Sequence, residues 1–184
     1  MSNLKIFTFG VNKAWVSANG DTNTPASWVE VPIVSDSTID YTIQTAEVSD
    51  GEGFLQMQWK HTQRAKVTLK MKQLGFNILE RMTGSPVSSS QGTDQIYFGR
   101  QEEITPPFTR LKLVQRAIDS NTNRGYAHVT IFKAQGELPT LMMQATTPGE
   151  FTVNFQCLAA NYDENGNSIP TAYFRLDAVK SVNT

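Results

Sequence analysis

Cysteine, histidine and surplus basic charge are all scarce in this chain of 184 residues. Cys157 is its single cysteine, so no disulfide can form within the chain, and a reducing compartment suits it. One cysteine and two histidines (His61 and His128) are too few for a typical zinc site. The formal net charge of −1 also excludes the basic surplus on which tight phosphate binding depends.

Long apolar runs are missing as well, and none approaches the length that spans a membrane. The first ten residues lack the basic start and the following apolar stretch of a secretory signal. We therefore expect the chain to be made and assembled in a cytoplasm and to have no membrane partner.

Catalytic motifs are also absent. The sequence has no Walker loop, no Rossmann glycine pattern, no His-Glu-x-x-His and no Gly-x-Ser-x-Gly. Glu102 and Glu103 are adjacent, so in a strand they point to opposite faces and cannot flank one glycosidic bond together. We expect a protein that is not an enzyme and that uses no cofactor or metal.

One segment imitates a calcium site. Residues 161–166 (Asn-Tyr-Asp-Glu-Asn-Gly) match the first half of an EF-hand loop, but the twelfth position, where a bidentate glutamate belongs, is Ala172. The segment also lies between two strand patterns instead of two helices. A hairpin turn at Asn165-Gly166 explains it better.

Period-two alternation is abundant and dominates the chain. The clearest strand runs over residues 64–72, where apolar residues alternate with lysines and a threonine. Further strands are predicted at residues 4–8, 28–34, 38–44, 95–100, 110–117, 126–134, 151–160 and 171–179. Turns rich in Gly, Asn and Ser separate them. The pattern predicts one domain over residues 1–184, mainly β, built as a β-sandwich or distorted barrel with one flanking α-helix.

The single helix is predicted from Phe76 to Met82. Phe76, Leu79 and Met82 recur at three-residue spacing, with Ile78 alongside, and we expect the first three to anchor the helix on the sheet. Gly84 is the expected C-cap, and Pro86 prevents any continuation.

Charge is segregated along the chain. Residues 1–58 hold two basic and seven acidic side chains, whereas residues 60–81 hold six basic and one acidic. Such a distribution in a nearly neutral chain suits complementary faces that self-associate, although scattered charge can arise by chance.

Taken in order, these elements resemble the tail-tube (major tail) proteins of long-tailed bacteriophages. The resemblance covers most of the chain and is carried best by three segments: the strand and helix of residues 65–84, the strand opener Pro-Pro-Phe-Thr-Arg-Leu-Lys-Leu-Val at 106–114, and the final strand Ala-Tyr-Phe-Arg-Leu-Asp-Ala-Val at 172–179. None of them is a strict motif, so no residue-by-residue roles are carried over.

The resemblance implies a structural virion protein. In that family a β-sandwich with a flanking helix forms six-membered rings, and the rings stack into a hollow tube through which the DNA genome passes without stable binding. It also implies other tail proteins as partners, namely the tape measure, the terminators and the baseplate or tip. Related proteins form the inner tubes of type VI secretion.

Two surfaces follow as expectations for such a tube. Asp40, Thr42 and Gln44 alternate with apolar residues, and we predict that they line the lumen, where a polar or weakly acidic surface lets DNA slide. The turn around residues 50–53 is the candidate ring-stacking loop, with an ordinary hairpin packed on its own subunit as the rival interpretation. The candidate stacking residues are Asp50, Glu52, Phe54, Leu55, Met57 and Trp59, and their candidate basic partners on a neighbour are Lys66, Lys70 and Lys72.

Two other classes share the predicted architecture. A carbohydrate-binding β-sandwich module could use Trp15, Trp28 and Trp59 as a stacking platform, although core or interface packing suits these residues better. A lipocalin-like barrel would need a mostly apolar interior cavity. Either alternative predicts a monomer, and the tail-tube interpretation predicts rings or tubes.

Overall fold

The structure, a computed structural model, describes residues 6–32, 34–49, 55–73, 75–90, 92–96, 106–119, 124–137, 140–142 and 149–179. Thirteen strands and one helix occur within these ranges. They are β1 (Ile6–Ala18), β2 (Val29–Val31), β3 (Val34–Ser49), β4 (Leu55–Met71), α1 (Phe76–Thr83), β5 (Val87–Ser90), β6 (Thr93–Ile96), β7 (Phe108–Asp119), β8 (Arg124–Gly136), β9 (Thr140–Met142), β10 (Glu150–Cys157), β11 (Ala160–Tyr162), β12 (Ser168–Ala172) and β13 (Phe174–Val179).

Nine of these strands form one antiparallel sheet. Its order is β2-β1-β7-β8-β10-β4-β3, with β13 paired to β8 and β9 paired to β10. Along β8, one edge pairs with β7, and the other pairs first with β13 and then, at residues 134–136, with β10. This change of partner joins a β2-β1-β7-β8-β13 half to a β9-β10-β4-β3 half. The hairpins β5–β6 and β11–β12 stand apart from the main sheet.

The core follows directly from strand alternation. On β4, residues 65, 67, 69 and 71 are buried, and the lysines between them are not. Val67 lies opposite Phe155 on β10, and Leu69 lies opposite Val153, so the apolar rows continue across strands. Buried side chains from β1, β4, β7, β8, β10 and α1 form a single apolar cluster. The fold class is therefore mainly β with one packed helix, as predicted.

The helix begins at Phe76 and ends at Thr83. Gly84 is its C-cap, as predicted, with a left-handed φ of 75° and an N–H that donates to the Glu80 carbonyl at 2.8 Å. A glycine suits this position because only it adopts that backbone conformation without steric cost.

The anchor of the helix differs in part from the expectation. Leu79 and Met82 are buried, but Phe76 is 40% exposed, and Ile78 is buried in its place. At about 100° per residue, Ile78, Leu79 and Met82 fall within one arc of about 100°, whereas Phe76 lies about 120° from Met82. The prediction that Phe76 anchors the helix was therefore wrong.

Some predicted segments also divide differently. Strand β5 lies at residues where no strand was predicted, and the predicted last strand at 171–179 is interrupted at Tyr173 between β12 and β13. Most predicted strands are present but extend further than predicted, most clearly β4, which starts at Leu55 instead of Arg64.

Candidate assembly surfaces

The first surface is the polar face of β3, β4 and β10. Asp40 and Thr42 are exposed on this face of β3, away from the apolar row. Gln44 belongs to the same strand, but its side chain lies outside the described residues. Their place in a lumen stays a prediction.

Register adds a feature that the sequence pattern did not reveal. Asp40 lies opposite Lys66 on β4, and Asp36 lies opposite Lys70. Because opposite residues in an antiparallel pair share a face, these lysines belong to the same surface as Asp40.

This pairing shows that the surface carries charges of both signs. A face that bears Asp36 and Asp40 also bears Lys66 and Lys70, and Arg64 lies opposite Thr42, so the polar surface is not acidic. Lys66 and Lys70 therefore have acidic neighbours in their own chain. Of the predicted basic face, Lys72 lies just beyond β4, exposed in a bend.

The second surface is the outer part of the β3–β4 hairpin. β10 pairs with β4 only over Ala65–Met71, whereas β3 pairs with β4 along its whole length. Within the described residues, segments 43–49 and 55–63 thus pair only with each other. We call this two-stranded ribbon the hairpin arm; at about 3.3 Å per residue its seven-residue side is roughly 23 Å long.

The arm contains part of the candidate stacking segment. Leu55, Met57 and Trp59 are strand residues, paired in register with Ser49, Val48 and Ala46. Asp50, Glu52 and Phe54, at the tip, lie outside the described residues. The tip interaction thus stays a prediction, while β3 and β4 on both sides of it pair with each other.

Apolar residues are paired with each other along the arm. Ala46 lies opposite Trp59 and Val48 lies opposite Met57. Between these two pairs lies the polar pair Glu47 and Gln58.

The third surface is the edge formed by β13. Within the described residues this strand pairs only with β8. Its Leu176 is 63% exposed, which is the largest exposure among the big apolar residues of the described chain. At its start Phe174 contacts the ring of Tyr41 from β3 edge-to-face, at 5.8 Å between ring centroids.

The segment that resembled a calcium loop is a hairpin turn, as predicted. Asp163 lies between β11 and β12 and is 8% exposed. Its carboxylate accepts hydrogen bonds from the backbone N–H groups of Asn165 and Asn167, both at 2.8 Å, and from the Asn167 side chain. Burial acts to raise the pKa of Asp163, but these hydrogen bonds outweigh it and hold the pKa below its ordinary value. Gly166 completes the turn with a φ of 83°.

A buried polar cluster beside this hairpin was missed from the sequence. Arg110 on β7 is fully buried and donates to the carbonyls of Thr22 at 2.6 Å and Thr24 at 2.7 Å. Nearby, Asp21 accepts from the Lys133 ammonium at 3.0 Å and from the Asn161 N–H at 2.6 Å. Arg110 gave no clear signal in the sequence, because its strand also carries the cations Lys112 and Arg116.

Two findings concern the reactive and metal-ligating side chains of the described residues. Burial raises the pKa of the Cys157 thiol to about 12, which keeps it protonated and unreactive near neutral pH. In the described part of the chain no three His, Cys, Asp or Glu side chains are placed to hold a metal ion. Among the same residues, no helix is both long and apolar enough to cross a membrane.

The tryptophans are described only in part. Trp15 is half-buried on β1, with the ammonium groups of Lys13 and Lys112 each 5.8 Å from its ring. Trp28 is also half-buried, and the Trp59 side chain lies outside the described residues.

Comparison with known proteins adds no relative. No protein-family model matches the chain, and no curated protein matches it at a significant level.

Proposed function

We propose that this chain is a structural subunit that self-assembles into stacked rings forming the hollow tail tube of a bacteriophage. The proposal places it in the virion tail after assembly in the host cytoplasm, with genome DNA passing through the lumen and other tail proteins at the ends of the tube. It is not an enzyme in this account.

The hairpin arm is the observation that carries the proposal. An isolated two-stranded ribbon is at best marginally stable in water, and three or more strands or a packed partner are needed to support one. The arm has no third strand among the described residues, yet register pairs apolar residues along it, Ala46 with Trp59 and Val48 with Met57. A second copy of the chain would supply the missing support.

The β13 edge supports the same proposal. The β13 edge carries the protruding Leu176 and has no proline within Phe174–Val179, and its charged side chains, Arg175 and Asp177, are ion-paired with each other. Repeated association through two different surfaces of each subunit produces a ring when the rotation closes. The arm and the β13 edge are two such surfaces.

The mixed charge of the β3–β4–β10 face also fits a conduit. Asp40 and Asp36 lie opposite Lys66 and Lys70, which limits the positive charge that these lysines and Arg64 give the face and so limits the retention of DNA. A surface of this composition lets a polyanion move past it.

Electron microscopy of the full chain and of an arm-shortened variant tests the proposal. Thr45 and Lys60 are register partners, so residues 46–59 can be replaced by an Asn-Gly turn that joins them. The full chain should form rings or tubes, and the variant should stay a folded single subunit with an unchanged circular dichroism spectrum.

The contrary results are equally clear. If the arm-shortened variant also forms tubes, the arm is not required for assembly. A full chain that stays monomeric and binds on a glycan array would favour the carbohydrate-binding module instead.

A further inference from the structure

Residues 19–27 cross the outer face of β7 and β8 between β1 and β2, and we call this segment the strap. It has no large apolar residue, and its most central residues, 23–25, are exposed. Apolar burial therefore contributes little to holding it in place. Its attachments are almost wholly polar, which makes it distinct from the rest of the fold.

The strap is fixed to the sheet by two kinds of bond. Backbone N–H groups of Gly20 and Asp21 donate to the carbonyls of Phe108 and Phe132, at 2.9 and 3.2 Å. From the sheet side, Arg110 on β7 donates to two further strap carbonyls, those of Thr22 and Thr24.

The same strap is fixed to the β11–β12 hairpin. The Asp21 carboxylate accepts from the N–H groups of Asn161 and Tyr162, and Ala26 donates its N–H to the Glu164 carbonyl at 2.8 Å. Gly166 fits tightly against the strap, since a Cβ there would lie 2.2 Å from the Asn23 carbonyl oxygen. Strap and hairpin therefore hold each other.

Three features oppose this closed arrangement. Asn19 and Asp21 have left-handed φ values of 64° and 56°, a conformation that costs energy for residues other than glycine. The Arg110 guanidinium is fully buried against neutral carbonyls, which is unfavourable for a cation. Its Nε–H also has no hydrogen-bond partner among the described residues.

We propose that the strap and the β11–β12 hairpin open and close as one unit over β7 and β8, and that opening uncovers the guanidinium of Arg110. Opening relaxes the strained backbone at Asn19 and Asp21 and hydrates the buried cation. Closing is maintained by the polar bonds that meet at Asp21. Segments held mainly by such bonds open at lower free energy than packed core strands.

Asp21 is the residue on which closing depends. It bonds the strap to β8 through Lys133 and to the hairpin through Asn161 and Tyr162, so its loss should loosen both partners at once. The other charged groups around it are Arg110 on β7, Asp163 and Glu164 on the hairpin, and Arg175 on β13, which is ion-paired with Glu164 and Asp177.

Hydrogen exchange on the full chain, measured by mass spectrometry, tests the proposed opening of the strap and hairpin. Peptides covering residues 19–28 and 160–167 should exchange together and faster than those covering residues 111–114 and 127–131. Asp21→Asn should speed exchange in both strap and hairpin by about tenfold or more, because a charged group accepting several bonds is lost. Glu30→Gln, which removes an exposed ion pair with Lys13 outside the strap, is the matched control and should change neither.

A second variant keeps the test decisive if Asp21→Asn fails to fold. Lys133→Met removes the ion pair from the sheet side and should speed exchange in both segments by a smaller factor. The proposal is overturned if strap peptides exchange no faster than the sheet, or if either variant speeds the strap and leaves the hairpin unchanged.

Discussion

Asp40 on β3 lies directly across from Lys66 on β4, on the face that points away from the core. This relationship decides the character of the surface predicted to line a lumen. Asp36 and Asp40 each lie opposite a lysine one strand away, and Arg64 adds a cation opposite Thr42, so the surface is polar with charges of both signs.

The pairing predicts a measurable coupling. Asp40→Lys should destabilise the subunit because it opposes Lys66 with a like charge, and Lys66→Asp should do the same against Asp40. The double variant should recover most of the loss. From a double-mutant cycle in urea we expect a coupling of about 0.2–1 kcal/mol that shrinks in high salt. Strictly additive effects would show that the two side chains do not interact.

The helix anchor makes a sharper prediction. Leu79 is 7% exposed on the packed side of α1, so Leu79→Ala should lower the free energy of unfolding by about 2–5 kcal/mol. Phe76 in the same helix is 40% exposed, and Phe76→Ala should cost less than about 1 kcal/mol despite removing a larger side chain. Denaturant unfolding of the two variants checks the order, and equal losses would contradict the packing described for α1.

Substitutions at two glycines allow the cost of backbone strain to be measured apart from the cost of a steric clash. Gly92 and Gly166 have similar positive φ values of 77° and 83°. Space for a Cβ is open at Gly92, so Gly92→Ala should cost only the strain of about 1–2 kcal/mol. Gly166→Ala adds a clash with the carbonyl of Asn23 and should cost clearly more. Similar melting temperatures for the two variants would mean that the strap does not press on the hairpin turn.

Acid should weaken the attachment of the strap. Burial tends to raise the pKa of Asp21, but its hydrogen bonds to the Asn161 N–H and to Lys133 outweigh burial, so the pKa lies below the ordinary 3.8. When folding lowers the pKa of a carboxylate, that group stabilises the folded state in full at pH values above its unfolded-state pKa. Its contribution is lost as the pH falls from about 3.8 through the folded-state pKa. Asp163 behaves in the same direction. Stability measured from pH 6 to pH 2 should therefore fall less steeply in Asp21→Asn than in the unchanged chain, and parallel curves would contradict the assignment.

Local pattern was enough to predict much of this fold. Alternation alone identified the inward residues of β4, because a strand has only two faces and charges cannot share the core. The end of the helix was equally clear, since Gly84 and Pro86 allow few other conformations.

Features that depend on residues far apart in the chain could not be predicted from the sequence. Arg110 reaches strap carbonyls 86 and 88 positions earlier in the chain, and no local period connects them. The pairing of Asp40 with Lys66 could not be predicted for the same reason, because it depends on the register between β3 and β4. Register and loop placement set both outcomes, and each is determined by tertiary packing.

The mass of the purified full chain in solution tests the central claim most directly. Multi-angle light scattering over a range of concentrations should show species at multiples of six subunits, growing with concentration as rings stack. A single species near 20.5 kDa at every concentration would contradict self-assembly, and with it the proposed tail-tube function.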